Sequence, residues 1–408
     1  MAKQWINYRE FLILSIISLS IGVVVGLLDA CFGEILLFLT SIRMAHFFYL
    51  IPFLPFAGLL FVYYFQKYGQ KSTQGMNLVF LAGHEKEREI PLRMIPFVMI
   101  GTWVTHLFGG SAGREGVAVQ LGATIANRFG AWLKLEKYNQ TLIIIGMAAG
   151  FAGLFETPLA ATFFALEVLV VGKLFHHALF PALLAAFTAS TVSQWAGLEK
   201  FSIAISGTFD FTIAVFLKLL LLGLIFGLTG AAFAFLLAQL KHRIQKWFPN
   251  ALRRIFIGSA GLAILLVLLY QGRYAGLGTN LIAAAFADQQ IYTYDWLLKM
   301  LLTVLTISIG FLGGEVTPLF AIGTTLGAVL APIFGLPIEL VAALGYASVF
   351  GSATNTVFAP IFIGGEVFGF QTIPYFAVVC SVAYFCSGKN SIYALQKNQD
   401  LRYHRSNE

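Results

Sequence analysis

Charge is what this chain has least of. Only 11% of its 408 residues are Asp, Glu, Lys or Arg, while 58% are hydrophobic and 15% aromatic. Soluble domains carry roughly 25% charged residues, so the composition excludes a soluble protein and indicates an integral membrane protein. Apolar runs recur along the whole length, which leaves no stretch for a separate soluble domain. Cysteine is scarce as well. Cys31, Cys380 and Cys386 sit far apart in apolar sequence without metal-ligand spacing, so they read as packing residues and no metal site is expected. The net charge of +7 is spread over loops with no basic domain behind it, which argues against a nucleic-acid partner. The first apolar run lacks a small-residue cleavage site and is too long for a removable signal, so it counts as the first membrane helix.

What is present is a series of long uncharged runs. Phe11 to Leu28, Leu219 to Leu240, Ile255 to Gly272 and Val367 to Gly388 each reach the length of about 18 residues or more that a spanning helix needs. In order, helices are expected from Phe11 to Leu39, from Phe47 to Phe65 with a bend at Pro52 and Pro55, and from Met94 to Leu107. Others should run to Trp132, from Tyr138 to Phe155, from Leu159 to Val171, from Leu179 to Trp195 and from Phe211 to Leu240. The fold class is therefore all-α, a polytopic protein whose partner is the lipid bilayer, with 1–408 as one transmembrane domain. The densest basic cluster, Lys241, Arg243, Lys246, Arg253 and Arg254, belongs in the cytoplasm by the positive-inside rule. Lys3 and Arg9 at one end, with Lys397, Arg402 and Arg405 at the other, assign both termini to the same side of the cell's inner membrane.

The apolar runs are interrupted in a repeated way. The long helix at Phe211 mirrors the one that opens the chain, and Glu156 to Val168 matches Asn355 to Val367 without gaps, each ending in Glu-Val. A duplicated fold is expected, with halves at about 9–197 and 211–397. Glycine-rich breaks containing an acid, Gly113 to Gly116 and Gly313 to Pro318, fall ahead of each copy. Between Val316 and Gly365 proline and glycine chop the apolar sequence into pieces too short to span. Such broken helices are tolerated at membrane depth where they are buried in protein or line an aqueous path, and paired with duplication they mark transporters that bind near the midplane.

A helix that begins inside the membrane presents free backbone N–H groups and the positive end of its dipole, an anion site with no fixed cation. Candidate starts are Gly75-Met76-Asn77, Gly113-Arg114-Glu115-Gly116-Val117 and Gly313 to Thr317, the last including Glu315 and Val316. An unpaired carboxylate at membrane depth costs at least about 2.5–3.5 kcal/mol, so Glu115 is a functional residue by default. Ionised, it would compete with a dissolved anion for those N–H groups; protonated, it would withdraw. One carboxyl would then serve as gate and proton carrier. Other readings exist for the same residues. Glu115 could pair with Arg114, Glu315 could cap the helix near Thr317, and Tyr393 could be an interfacial aromatic. Glu167 and Glu366 read as structural rather than proton-carrying. Gly109 to Gly113 also fits the G-x-S-x-G pattern of a hydrolase around Ser111 with His106 nearby, but the strand-turn-helix setting of a nucleophile elbow is missing. A cation-coupled carrier of organic solutes would need a bulky pocket, of which the sequence gives no sign.

Gly113-Arg114-Glu115-Gly116-Val117 resembles the GREG motif of the CLC family of chloride channels and anion/proton exchangers. Gly313 to Pro318 is similar to that family's second-half GGxFxP element, and Tyr393 falls where its last membrane helix supplies a pore tyrosine. The resemblance runs from the first long helix to about Gln396. It implies an inverted-repeat fold of many short, tilted helices and a homodimer with one ion pathway per subunit. It further implies a gating glutamate at Glu115 and no cofactor beyond the transported ions. The chain stops soon after Tyr393, without the cytoplasmic regulatory domains that some relatives append.

Departures from the commoner family pattern point to the ion. Gly75-Met76-Asn77 stands where most members have a serine filter, so no hydroxyl is offered there. Val168 follows Glu167 where exchangers commonly have an internal proton-transfer glutamate, and Glu315 and Thr317 put an acid and a hydroxyl where apolar residues are usual. The combination resembles the bacterial fluoride/proton antiporter branch. Fluoride is small and strongly hydrated, and gives up water only for strong donors such as a protonated Glu115 or Glu315, the Thr317 hydroxyl or the Tyr393 phenol. The expected function is secondary-active export of fluoride in exchange for protons, with a chloride channel or chloride/proton exchanger as the nearer alternative.

Overall fold

The structure, a computed structural model, describes residues 8–199, 201–205, 211–287, 289–388 and 390–398. Lys3, Arg402 and Arg405 lie outside the described residues, as does the side chain of Arg9. The first helix, α1 (Tyr8–Ala45), has 38 residues and no proline to interrupt it. At 1.5 Å per residue it is about 57 Å long, nearly twice the thickness of a bilayer core, so it tilts or projects beyond the membrane. After it come α2 (Phe47–Leu50), a 3₁₀ turn at Ile51–Phe53 that contains Pro52, and α3 (Leu54–Tyr68) with Pro55 in its first turn. The two prolines thus divide the expected single segment, since each fits only at a helix start.

Short pieces follow: α4 (Met76–Gly83), α5 (Met94–Leu107), α6 (Glu115–Trp132), α7 (Asn139–Phe155), α8 (Pro158–Glu167) and α9 (Leu179–Trp195). A second series repeats the first: α10 (Ile213–Trp247), α11 (Ala251–Leu268), α12 (Thr279–Phe286), α13 (Asp295–Ile309), α14 (Val316–Phe334), α15 (Ile338–Thr354), α16 (Phe358–Phe368) and α17 (Ile373–Cys386). Packing repeats with it. Helix α1 lies on α7 and α9, and α10 lies on α15 and α17; α6 packs on α7 as α14 packs on α15. Across the two series α3 meets α11 and α8 meets α16. Six helical stretches among the described residues are long and apolar enough to cross a membrane.

Four expectations need correction. The sequence from Val316 onward is not cut only into pieces too short to span, because α14 (Val316–Phe334) runs 19 residues through Pro332 and is long and apolar enough to cross a membrane. The run Val367 to Gly388 is no single span, because Gly369 at φ 108° turns the chain between α16 and α17. The helix expected to reach Val171 ends at Glu167, and β1 (Val170–Val171) pairs in parallel with β2 (Lys397–Asn398). Helix α10 continues to Trp247, so Lys241, Arg243 and Lys246 lie on its last turns rather than in a loop.

The centre of the molecule is α7 and α15. Every residue from Thr141 to Phe155 and from Leu340 to Thr354 is buried, as expected of helices that are apolar all round. Helices α6 and α14 press against them through glycine. A Cβ on Gly122 would lie 2.0 Å from the Gly146 carbonyl, and one on Gly323 would lie 2.0 Å from that of Gly345. This close backbone contact, typical of small residues between membrane helices, holds the starts of α6 and α14 against a rigid backing.

Candidate functional site

The two glycine-rich breaks meet at the middle of the molecule. Gly113 donates its N–H to the Gly314 carbonyl at 2.5 Å, and Gly314 returns the bond at 2.7 Å, so one antiparallel bridge joins the two series. From it α6 and α14 set off with their first residues side by side. Glu115, the first residue of α6, is 1% exposed. Its Oε2 accepts from the Thr317 N–H at 3.1 Å, from the Thr317 hydroxyl, and from the Arg114 N–H at 3.3 Å. The carboxylate therefore sits on the N-terminus of α14, where a helix favours negative charge. Arg114 stays loosely beside the carboxylate, with Nε 3.8 Å from Glu115 Oε1.

Glu315 is the residue ahead of α14, yet its side chain makes no capping bond to that helix. Its Oε2 instead lies 3.8 Å from where a Cβ on Gly116 would be, and the Met76 methyl lies 3.9 Å from the same point. Met76 is the first residue of α4, and Gly75 before it adopts φ 55°, a conformation that favours glycine. The starts of α4, α6 and α14 thus converge on one small volume. A cavity of about 320 Å³ opens from it, lined by Gly75, Met76, Asn77, Gly116, Val117, Glu315 and Tyr393. Val316 and Thr317 are buried in the first turn of α14 behind it.

Tyr393 comes from a segment without helical structure, not from a helix as expected. Residues 390–398 are held from outside: Ile392 N–H donates to Ala353, Gln396 Nε2 donates to the carbonyls of Val168 and Thr354, and β2 pairs with β1. The ring packs 5.1 Å from Phe80, and its buried hydroxyl has no hydrogen-bond partner.

Of the residues the sequence nominated, Gly75, Met76, Asn77, Gly116, Val117, Glu315 and Tyr393 line this cavity, while Gly113, Arg114, Glu115, Val316 and Thr317 lie at the bridge and helix starts and not on its lining. Others on the same cavity were missed: Gln120 and Ser308, and at its outer part Lys241 and Arg254. An amide in the apolar first half of α6 and the basic cluster were the available signals. Glu167 and Glu366 lie elsewhere, at the crossing of α8 and α16. Glu167 accepts from the N–H groups of Val357, Phe358 and Ala359, and Glu366 from those of Leu159 and Ala160. Each acid ends one helix and satisfies the N-terminus of the other, which is the structural role expected of them.

Ser111 is fully buried. Its hydroxyl meets Thr303 Oγ1 at 2.8 Å and Lys299 Nζ at 2.9 Å, and the same ammonium reaches the carbonyls of Tyr274 and Gly276. Serine beside lysine can be a nucleophile pair, but here Lys299 Nζ already has three hydrogen-bond partners and Ser111 is enclosed in packed protein. His106 is also fully buried, with its ring nitrogens against the carbonyls of Thr102 and Ala112. Ser111 and His106 thus brace the glycine-rich break from behind.

Broken helices with their N-termini gathered around a buried carboxylate define a membrane transport protein with an anion site. A family model described as "Voltage gated chloride channel" matches residues 57–388. The chain belongs to that family, the CLC proteins. It is 36% identical over 364 residues to the chloride/fluoride channel protein of Pseudomonas syringae pv. tomato, covering 88% of this chain and 80% of that one. To an H(+)/Cl(-) exchange transporter of Yersinia pestis it is 26% identical over 320 residues, covering 73% and 66%. Among solved structures, a CLC-type fluoride/proton antiporter superposes with a TM-score of 0.96 at 70% identity, covering 97% of this chain and 100% of that one. A slow cyanobacterial Cl-/H+ antiporter shares the fold, with a TM-score of 0.79 at 22% identity over 93% and 96%.

Proposed function

We infer that this protein is a fluoride/proton antiporter that exports fluoride in exchange for protons. The observation that carries the reading is the Glu115 carboxylate lodged on the N–H and hydroxyl of Thr317. Those donors suit a small anion with high hydrogen-bond basicity, and the 70% identity to a fluoride/proton antiporter supports the choice of ion. Protonation of Glu115 removes its charge and weakens its hold on the α14 N-terminus. Fluoride then takes the vacated donors while Glu115 swings away with its proton. Thr317, with the starts of α4, α6 and α14, forms the anion site. Glu315 and the Tyr393 phenol face the cavity and exchange hydrogen bonds or protons with what occupies it, and Met76 narrows the way in.

Lys241 and Arg254 border the cavity and belong to the basic cluster that the positive-inside rule assigns to the cytoplasm. We therefore take the cavity as the cytoplasmic vestibule, the inner membrane as the location and both termini as cytoplasmic. A homodimer with one pathway per subunit follows from the family resemblance. So does the division into inverted halves at about 9–197 and 211–397, which the repeated packing supports.

The test is flux from liposomes containing purified protein, read with fluoride, chloride and pH electrodes. Fluoride efflux should drive proton uptake while chloride lags far behind. Efflux without proton movement would rule out antiport. Chloride moving as fast as fluoride would favour the chloride/proton exchanger.

A further inference from the structure

Gln120 lies one helical turn beyond Gly116 and turns its side chain back along α6. Its Nε2 donates to the Gly116 carbonyl at 3.1 Å. That bond fixes the amide, because the flipped orientation would set two carbonyl oxygens against each other. Oε1 is left pointing toward Gly75, 3.5 Å from where a Cβ on that glycine would lie. The side chain is only 8% exposed, and Oε1 has no hydrogen-bond donor. Ser308 on α13 is 3% exposed and its hydroxyl is likewise without a partner. Both residues line the cavity that reaches Glu315.

Buried polar atoms are satisfied by protein or by ordered water. A carbonyl oxygen repels fluoride, which has no hydrogen to give, so Gln120 Oε1 is wrongly built for the anion. It is correctly built for a hydrogen donor, and the cavity of about 320 Å³ has room for several waters. Lys241 and Arg254 at the outer part of that cavity draw anions in and repel free hydronium. Water held in this vestibule gives a proton a hydrogen-bonded route between Glu315 and the solution.

We propose that Gln120 and Ser308 are positioning residues that hold the water through which Glu315 exchanges protons with the cytoplasm. This rests on the antiport reading above. In the inward step the Glu315 carboxylic acid breaks its O–H bond and gives the proton to the adjacent water. Hydronium and carboxylate result, and the relay delivers the proton to the cytoplasmic solution. Gln120 supplies an acceptor, while the Ser308 hydroxyl can accept from one water and donate to the next.

The experiment compares wild type, Gln120→Leu and Ser308→Ala in liposomes, measuring fluoride and proton fluxes together. In Gln120→Leu proton flux should fall about threefold to tenfold more than fluoride flux, the effect of one lost hydrogen bond, so the fluoride-to-proton ratio rises. A purely structural role would slow both fluxes and leave the ratio at the wild-type value, which would overturn the proposal. Should Gln120→Leu fail to give a monodisperse protein, the ratio in Ser308→Ala decides by the same criterion. Failure of the wild type itself to move protons with fluoride would sink the antiport reading and this proposal with it, an outcome read without either variant.

Discussion

Thr317 gives both its backbone N–H and its hydroxyl to a single oxygen of Glu115, a residue 202 positions earlier in the chain. In the antiport mechanism proposed above, these donors form a seat for either a carboxylate or a small anion. The seat can therefore be emptied only by a change in one of its occupants.

Thr317→Val keeps the shape and the N–H but deletes the hydroxyl. A hydrogen bond to a charged group contributes about 1.5–3 kcal/mol, so the fluoride KM should rise on the order of tenfold to a hundredfold while folding is retained. Flux measured against fluoride concentration checks this. An unchanged KM with chloride still excluded would remove the hydroxyl from the anion site.

Glu115→Gln keeps an acceptor for the Thr317 donors but can neither take up nor release a proton near neutral pH. Fluoride-driven proton uptake should drop to the level of protein-free liposomes. Full coupling in this variant would deny Glu115 its role as proton carrier.

Glu366→Gln and Glu167→Gln each weaken the satisfaction of a helix start at the α8–α16 crossing. Loss of such a cap costs about 0.5–2 kcal/mol, so the thermal midpoint in detergent should fall in both. The fluoride-to-proton ratio should stay at the wild-type value. A changed ratio with an unchanged midpoint would make these acids part of the transport path.

Lys241→Gln with Arg254→Gln removes two cations from the vestibule. At low ionic strength the fluoride KM on that side should rise severalfold by loss of attraction. Near 1 M of an inert salt, where the screening length is about 3 Å, mutant and wild type should converge. A defect that persists undiminished in high salt would indicate a packing role for the two side chains.

Much of this site could be read from composition and motif. The uncharged runs and their glycine-rich acidic breaks predicted broken helices around Glu115 and Glu315, and the gap-free match ending at Glu167 and Glu366 predicted the repeat. Other features escaped for physical reasons. Gly369 scarcely alters local hydropathy, so the turn that separates α16 from α17 is set by a backbone angle that no apolar count registers. Tyr393 was expected on a helix from the family resemblance, whereas its segment is held by Gln396 and a two-residue strand pair. Lys299 and Gln120 are polar side chains in largely apolar helices, which at membrane depth is itself a signal. The partner of Lys299 at Ser111 depends on how the chain closes on itself, whereas that of Gln120 at Gly116 lies one turn back on the same helix.

The mutual hydrogen bonds of Gly113 and Gly314 tie the two series together at the ion site itself. A cycle in which one half rocks against the other would have to break both bonds each time, with both glycines buried. A rotating glutamate side chain disturbs neither. Under the antiport reading, access would alternate by the turn of Glu115 about this stationary hinge pin, and the scaffold could stay as rigid as its glycine-packed backing suggests.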